Sequence, residues 1–211
     1  MYKPVWTNVS EQELVLSVLA NHGFATLIGC NQQASEVAHL PLQVARSESS
    51  RPDGLALEGH AAAMNPILEY FDGRSNITAV FHGPHHYVSP AWYRTEGVPT
   101  WNYVVVHCSG RGTLMSYEDA KESFHGAVAH YEAKYGAGWS AARMSEGALS
   151  KRLGHIRHFR LEVTSVEAKF KLSQNKSVED RYSTIERLEE IGSDDSREVA
   201  RYMKLLMDRK A

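Results

Sequence analysis

Residues 80–112 read VFHGPHHYVSPAWYRTEGVPTWNYVVVHCSGRG, which places two apolar runs among aromatic, imidazole and amide side chains. The Gly-Pro pair at 83–84 and the Ser-Pro pair at 89–90 predict breaks in and after the first run. The Val-Pro pair at 98–99 predicts an extended approach into the second run, because the residue before proline avoids helical backbone angles. We therefore expect the polar and aromatic side chains at strand ends.

These side chains fit two kinds of environment. Two tryptophans, three tyrosines and an asparagine at the rim of a sheet would suit a flat, conjugated ligand. Trp92, Trp101 and Tyr103 would equally serve as core residues whose N–H or O–H groups bond to the backbone. The residues of this stretch leave both interpretations open.

Composition narrows the class of protein. The chain has 211 residues, 43% of them hydrophobic, which is enough for one substantial core. We expect a single domain over residues 1–211, with a helical extension from about residue 178. A formal net charge of -2 gives no general attraction for DNA or for acidic membranes. Two widely separated cysteines, no leader pattern and no apolar run near the roughly 20 residues that span a bilayer predict a reduced, cytoplasmic protein outside the membrane.

The first half of the chain predicts a helix followed by strands. A capping pattern at Ser10 and Glu13 indicates a helix over 11–21. Two apolar runs separated by a polar turn indicate a hairpin. The predicted elements after the helix are strands at 24–30 and 36–45, a loop at 46–54, a third strand at 55–60 and a short helix that begins at Asn65-Pro66.

The second half predicts longer strands and more helix. The expected elements are strands at 77–82 and 101–115, a bend at 110–112, a helix from Ser116 to about 135, a mixed connector at 138–154, one or two strands within 155–171, and helices at 178–191 and 196–210 joined by a turn at 192–195. Strands that do not alternate regularly with helices favour an antiparallel barrel over a parallel sheet. The predicted fold class is α+β.

Five blocks of sequence resemble the PaiB family of FMN-binding negative transcriptional regulators. They are HLPL at 39–42, GHAA at 59–62 with NP at 65–66, HGPHHYVSPAWY at 82–93, VPTWNY at 98–103 and KFKLSQN at 169–175. The resemblance implies an antiparallel split β-barrel of the pyridoxamine-phosphate-oxidase-like type, with flanking helices and a helical C-terminal tail. It also implies a homodimer with FMN, a flavin nucleotide, bound at the subunit interface.

The same resemblance supplies a set of candidate cofactor-binding residues. They are His39, Leu40, Pro41, His60, Ala61, Asn65, Trp92, Thr100, Trp101, Asn102, Lys171, Ser173, Gln174 and Asn175. The chain departs from the family pattern at two places. Ala63 and Met64 stand where relatives carry an arginine before Asn-Pro, and Glu96 and Gly97 stand where a basic residue commonly precedes VPTWNY. Both departures remove a basic side chain that would be expected to bind a phosphate.

Elementary chemistry gives several of these residues a role. The helix that begins at Asn65-Pro66 offers free backbone N–H groups to a phosphate, unless Asn65 only caps a surface helix. On a strand, the Asn102 amide points away from the rings on either side of it, so it could read a ring edge or close a turn of the barrel. Lys171 brings a cation to the end of the last strand, where a solvated loop is the alternative.

Other chemistries are less favoured by the spacing. His82, His85, His86 and His107 suit a metal by residue type but match no established ligand spacing, so we expect no metal site. Cys108 lies in a valine-rich strand and is expected to pack as an apolar residue. The last helix is basic, with Arg197, Arg201, Lys204, Arg209 and Lys210, but its neighbour is acidic. Pairing between the two helices therefore explains the charges better than DNA contact does.

Three functions remain open from the sequence. The first is the FMN-binding regulator that the family resemblance implies. The second is a flavin-dependent oxidoreductase that uses Lys171 or a histidine as proton donor. The third is a heme-binding split-barrel protein with His82, His85 or His86 as axial ligand.

Overall fold

Strands of 7 to 16 residues form the sheet of this protein within the part of the chain that the structure describes. The computed structural model describes residues 1–7, 12–45, 54–136 and 138–208. Within these residues the strands are β1 (Phe24–Cys30), β2 (Ser35–Val44), β3 (Ala56–Ala62), β4 (Asn76–Val88), β5 (Thr100–Leu114) and β6 (Ile156–Lys171). The α-helices are α1 (Gln12–Asn21), α2 (Tyr117–Tyr135), α3 (Glu146–Leu153), α4 (Val178–Ile191) and α5 (Asp194–Asp208). Short 3₁₀ helices lie at Val5–Thr7, Pro66–Tyr70, Pro90–Trp92 and Ala141–Arg143.

The chain divides into two compact units. The barrel unit comprises Leu19–Phe81 and His107–Val166, and it contains part of every strand. The tail unit comprises Met1–Val18, His82–Val106 and Glu167–Ala211, and it contains α4 and α5.

The strands of the barrel unit form a closed sheet in the order β1-β2-β3-β6-β5-β4. The pairs β1–β2, β1–β4, β2–β3 and β3–β6 are antiparallel. The predicted hairpin at the start of the sheet and the α+β antiparallel barrel are therefore confirmed. The chain reaches this arrangement because each strand buries alternate residues on the inside of the barrel.

Apolar side chains fill the interior of the barrel unit. Leu57 lies opposite Leu161 on β3 and β6, and both are buried. Burying a side chain of this kind stabilises the fold by about 1.5–3 kcal/mol. At Gly110 a Cβ atom would lie only 1.9 Å from the backbone oxygen of Glu162, so this glycine allows two strands to approach closely. The glycine predicted to bend β5 therefore serves a contact between neighbouring strands.

The predicted break at residues 83–84 is wrong. Strand β4 runs without interruption from Asn76 to Val88. The reason lies in the tail unit, where a Cβ atom on Gly83 would come within 2.9 Å of the Val104 Cβ. A glycine is needed at this contact and does not interrupt the strand. The predicted end at the Ser-Pro pair holds, since a 3₁₀ helix begins at Pro90.

Local capping sets the ends of the middle helices. Helix α2 begins after Ser116, whose hydroxyl accepts the N–H of Asp119 at 3.2 Å, and it ends at Gly136. Both boundaries agree with the sequence prediction. Helix α1 also agrees at its C-terminus, Asn21. The capping pattern at Ser10 and most of the loop at 46–54 lie outside the described residues.

The C-terminal helices pack as a hairpin within the tail unit. Gly192 adopts a φ of 69°, which ends α4 in the left-handed region that favours glycine. Helix α5 begins at Asp194 and not at residue 196 as expected, because Ser193 accepts the N–H of Ser196 at 3.2 Å and so caps the helix. The predicted end of this helix at residue 210 lies outside the described residues.

Opposite charges connect α4 and α5. The Lys204 ammonium lies 2.5 Å from a carboxylate oxygen of Glu189, which joins the two helices. Arg187 and Arg201 each pair with a glutamate on their own helix, Glu190 and Glu198. The contact between Lys204 and Glu189 agrees with the predicted pairing between a basic and an acidic helix, whereas the other two pairs lie within one helix. No described helix is long and apolar enough to cross a lipid bilayer.

Candidate functional site

An exposed aromatic cluster lies on the tail unit. Trp101 is 53% exposed at the start of β5, although the next residue along the strand is fully buried. The rings of His85 and Tyr87 on β4 each lie 6.1 Å from the Trp101 ring, measured between centroids. We call these three residues the indole cluster. An indole with one ring edge-on to it and a face open to solvent can stack against a flat ligand.

Lys171 stands beside the indole cluster at the end of β6. Its ammonium donates to the backbone oxygen of Trp101 at 2.6 Å and to the hydroxyl of Thr100. Partial burial lowers the pKa of Lys171, and the positive charge of Lys169 lowers it further. Three predicted cofactor residues, Thr100, Trp101 and Lys171, are thus in direct contact.

Asn102 points into the interior of the tail unit. It has no exposed surface, and its amide accepts the Ser173 hydroxyl at 3.1 Å and donates to the Met203 sulfur at 3.5 Å. The prediction that its amide points opposite to the neighbouring rings is confirmed. These contacts also mean that Asn102 and Ser173, which is itself buried, orient the strand that carries Trp101 rather than facing solvent.

The turn after β6 is held in an uncommon backbone geometry. Ser173 has a φ of 62°, a region that costs a non-glycine residue free energy. Gln174 supports the turn, since its side-chain oxygen accepts the N–H of Leu172 at 2.7 Å and its amide donates to the oxygen of Phe170. Asn175 is exposed. Of the predicted residues on this turn, Asn175 is therefore the one whose side chain is open to solvent.

A buried carboxylate fixes the loop that leads to the indole cluster. Asp180 on α4 accepts the backbone N–H of Arg94 at 2.6 Å and the hydroxyl of Thr95 at 2.5 Å. The bond from Thr95 is the largest cause that lowers the pKa of Asp180. Trp92 lies at the start of this loop, where its backbone oxygen accepts the Ser183 hydroxyl at 2.6 Å. Sequence reasoning did not single out Asp180, because its partner Thr95 lies 85 residues earlier in the chain.

A shallow pocket borders the same loop. It has a volume of about 270 Å³ and is lined by Trp92, Arg187, Glu190 and Ile191. Trp92 is the predicted site residue in this lining. Its ring also lies 6.3 Å from the ring of His86.

The remaining candidates lie on the barrel unit, and on β2 they form one short run. His39 is exposed and its Nδ1 lies 3.1 Å from the hydroxyl of Thr26. Leu40 and Pro41 follow it and are half-buried. On β1 and β2, Thr26 is directly opposite His39. This run presents one polar and two apolar side chains in the middle of β2.

His60 faces a histidine that sequence reasoning missed. His158 on β6 lies opposite His60 on β3, and their rings are 5.0 Å apart. Burial lowers the pKa of both, and for His158, where the neighbouring His60 lowers it further, the value is about 4. Neither ring nitrogen of His158 has a hydrogen-bond partner among the described residues. Ala61, the next predicted residue, is buried. A prediction that β3 pairs with β6 in this register would have placed His158 opposite His60.

Asn65 caps a 3₁₀ helix of five residues, Pro66–Tyr70. Its side-chain oxygen accepts the N–H of Ile67 at 3.1 Å, and the helix ends at Tyr70. So short a helix carries a small dipole, and its first free N–H is already bonded to the cap. This geometry gives Asn65 a capping role.

The described residues contain no cluster of three or more histidine, cysteine, aspartate or glutamate side chains placed to hold a metal ion. The Nδ1 of His86 lies 2.6 Å from the backbone oxygen of Tyr87. Cys108 is fully buried, and burial raises the pKa of its thiol to about 12. The predicted apolar role of Cys108 agrees with this environment.

Known proteins resemble this chain over most of its length. The family model described as "Putative FMN-binding domain" matches residues 1–165. The protein named Protease synthase and sporulation protein PAI 2, from Bacillus subtilis strain 168, is 28% identical over 204 residues, which cover 97% of this chain and 97% of the relative. An uncharacterized protein of Aspergillus fumigatus is 28% identical over 192 residues, which cover 73% of this chain and 74% of the relative.

Solved structures share the fold at low identity. The FAD and heme binding protein from Mycobacterium smegmatis superposes with a TM-score of 0.60 at 12% identity, over 84% of this chain and 79% of that one. The flavocytochrome Anf3 from Azotobacter vinelandii gives a TM-score of 0.60 at 15% identity, over 84% of this chain and 75% of that one. Together with the strand order, this similarity confirms the predicted split barrel.

Proposed function

Because this chain belongs to the PaiB-type family of FMN-binding domains, we propose that it is a flavin-binding transcriptional regulator that acts as a homodimer. FMN brings a tricyclic ring that accepts electrons and a phosphate that carries negative charge. The protein has to supply an aromatic wall, hydrogen-bond donors and cations to hold these groups.

The observation that carries the proposal is the exposed indole of Trp101 beside the amine of Lys171. The indole cluster gives an aromatic face, and the ammonium of Lys171 is fixed 2.6 Å from the backbone oxygen of Trp101. Asn102 and Ser173 hold this strand from the inside. The cluster is therefore preorganised before a ring arrives, which lowers the entropic cost of binding.

Residues 1–211 act in this proposal as one flavin-binding domain with a helical extension from about residue 178. The support is the continuity of the strands. The matched family region ends at residue 165, whereas β6 continues to Lys171 and the tail unit draws residues from both ends of the chain. Helix α4 begins at Val178.

The proposed binding of FMN is tested by titrating the purified chain with FMN and following flavin fluorescence. Replacing Trp101 by alanine removes the stacking face, so we expect the Kd to rise about three- to tenfold, as aromatic pairs are worth about 0.5–1.5 kcal/mol beyond burial. Trp139, which is 41% exposed in the barrel unit, provides a matched control as Trp139→Ala. Failure of the unmodified chain to bind FMN would refute the proposal.

The proposed role in transcriptional regulation is tested in cells. Deleting the gene should raise the transcripts of a defined set of genes, and a plasmid with the wild-type chain should repress them again. The Trp101→Ala variant should restore repression only in part. Contact with DNA need not be direct, since the basic side chains Arg201 and Lys204 are already paired with Glu198 and Glu189. Sedimentation equilibrium tests the homodimer.

A flavin-dependent oxidoreductase is the second candidate function, and Lys171 is the observation that favours it. An amine whose pKa is lowered by burial gives up a proton more readily than an exposed lysine does. Anaerobic addition of NADH or NADPH to the FMN-loaded protein separates the two functions. Rapid bleaching of the flavin absorbance, slowed in Lys171→Met, would favour the enzyme.

A further inference from the structure

Arg181 on α4 is a buried cation that forms no ion pair with another described residue. The residue is 8% exposed, and its Nε atom is sealed from solvent without a hydrogen-bond partner among the described residues. Burial lowers the pKa of Arg181, but a guanidinium stays charged at neutral pH. The exposed fraction of 8% shows that the residue still reaches the surface.

The neighbouring acid does not neutralise Arg181. Asp180 is the adjacent residue, and its carboxylate is occupied by Arg94 and Thr95. The phenol of Tyr182 raises the pKa of Arg181 less than burial lowers it, and a phenol is neutral at pH 7, so it supplies no counter-charge. By contrast, Arg187 and Arg201 both form ion pairs on the same helical hairpin.

Other cations of the same segment also lack a carboxylate partner within the described residues. Lys169, Lys171 and Lys176 form no ion pair there. Lys169 lies 5.4 Å from the centroid of the Tyr103 ring, and Lys176 lies 4.4 Å from that of the Tyr93 ring. Residues 169–181 therefore carry four cations, whereas of their two acids Asp180 is bonded to Arg94 and Thr95 and Glu179 is exposed.

A buried, unpaired charge is strongly unfavourable unless an anion pairs with it. A guanidinium fork matches the oxygens of a phosphate in a bidentate geometry. We propose that Arg181, supported by the cations of residues 169–181, is the anchor for the phosphate monoester of the bound flavin nucleotide. This inference rests on the proposed function. It assigns the phosphate to a helix outside the matched family region, which ends at residue 165, and not to the 3₁₀ helix that Asn65 caps.

Comparing FMN with riboflavin tests the anchor, because the two differ only in the phosphate. We expect the wild-type chain to bind FMN roughly tenfold to hundredfold more tightly than riboflavin, as hydrogen bonds to charged groups contribute at this level. Arg181→Met should bind both flavins equally. The control is Arg201→Met, whose guanidinium is paired with Glu198 and stacked over Tyr202, and it should keep the wild-type preference.

Thermal unfolding without flavin supplies a second readout. Removing an uncompensated buried charge should leave the Tm of Arg181→Met unchanged or higher, whereas loss of a structural partner would lower it. Inorganic phosphate should raise the Tm of the wild-type chain, relative to chloride at equal ionic strength, and should not raise that of Arg181→Met.

Each result decides a separate point. If Arg181→Met keeps the wild-type ratio of FMN affinity to riboflavin affinity, Arg181 is not the phosphate anchor. This holds also when the variant binds both flavins more weakly by the same factor. An unchanged ratio with dissociation of a dimer shows that Arg181 pairs with a carboxylate of a second copy. If the wild-type chain binds neither flavin, the proposed function fails. A phosphate-dependent rise in Tm that requires Arg181 then still supports an oxyanion site for free phosphate or another ester, and its absence overturns the site.

Discussion

The hydroxyl of Ser173 donates a 3.1 Å hydrogen bond to the side-chain oxygen of Asn102, a residue 71 positions earlier in the chain. Both residues are buried. The bond holds the turn after β6 against the strand that carries Trp101, and it holds Ser173 at its positive φ of 62°. The exposed face of the indole cluster thus depends on an interior polar contact.

Replacing Ser173 by alanine should destabilise the protein by about 1–3 kcal/mol. The reason is that the variant leaves the buried Asn102 oxygen without its donor. Urea unfolding measures the difference. The matched control is Ser150→Ala on the exposed side of α3, where we expect a change within about 0.5 kcal/mol. Equal effects of the two substitutions would contradict the role given to Ser173.

Asp180→Asn should lower the Tm at pH 7, and the difference from the wild-type chain should shrink in acid. The folded state lowers the pKa of Asp180, chiefly through the bond from Thr95. A carboxyl of this kind contributes stability above its ordinary pKa of about 3.9 and loses it as the pH falls through the lower folded value. Melting curves between pH 7 and pH 2 check this, with Glu186→Gln, exposed on the same helix, as the control. A difference that persists undiminished at the lowest pH would argue against it.

The His60–His158 pair should make the protein less stable as the medium becomes mildly acidic. The folded pKa of His158 is about 4, below the ordinary value of 6.5, so the unfolded chain binds its proton first. Stability from the neutral ring is complete above about pH 6.5 and is lost as the pH falls toward 4. His158→Leu should flatten the dependence of the unfolding free energy in this window. The control variant His130→Leu changes an exposed residue of α2. Its unfolding free energy should depend on pH as that of the wild-type chain does.

The two cysteines should react at very different rates. Cys30 is exposed and Cys108 is buried with the pKa of its thiol raised to about 12. Because the thiolate is the reactive form, a disulfide reagent should modify one thiol quickly in the native protein and both after denaturation. Cys30→Ser should abolish the fast phase. Rapid reaction of the native Cys30→Ser variant would show that the strand around Cys108 opens.

Local signals explain which parts of the fold were predictable. Ser116 and Gly136 delimit α2 through contacts within a few residues, so the sequence pattern placed both ends correctly. The course of β4 through Gly83 was not predictable in this way, because its cause is a close approach to Val104. A glycine at a turn and a glycine at a strand contact look the same in a single sequence.

The residues of the candidate site show the same difference between local signals and long-range contacts. The motif pattern singled out Trp101 and Lys171, which the structure joins through a direct hydrogen bond. It did not indicate that Asn102 is fully buried, since that depends on Ser173 and on Met203, 101 positions away. Arg181 was also missed, because an arginine on a charged helix is ordinarily solvated, and only the folded structure shows it enclosed.

The way the tail unit draws on both ends of the chain has a practical consequence for anyone who expresses a shortened gene. A fragment that stopped at residue 165, where the family match ends, would lack Ser173 and Met203. The carboxamide of Asn102 would then have neither of its native partners, and Trp101 would sit on a strand without inner support. Such a fragment should express as an unfolded or aggregated product, whatever its content of barrel residues.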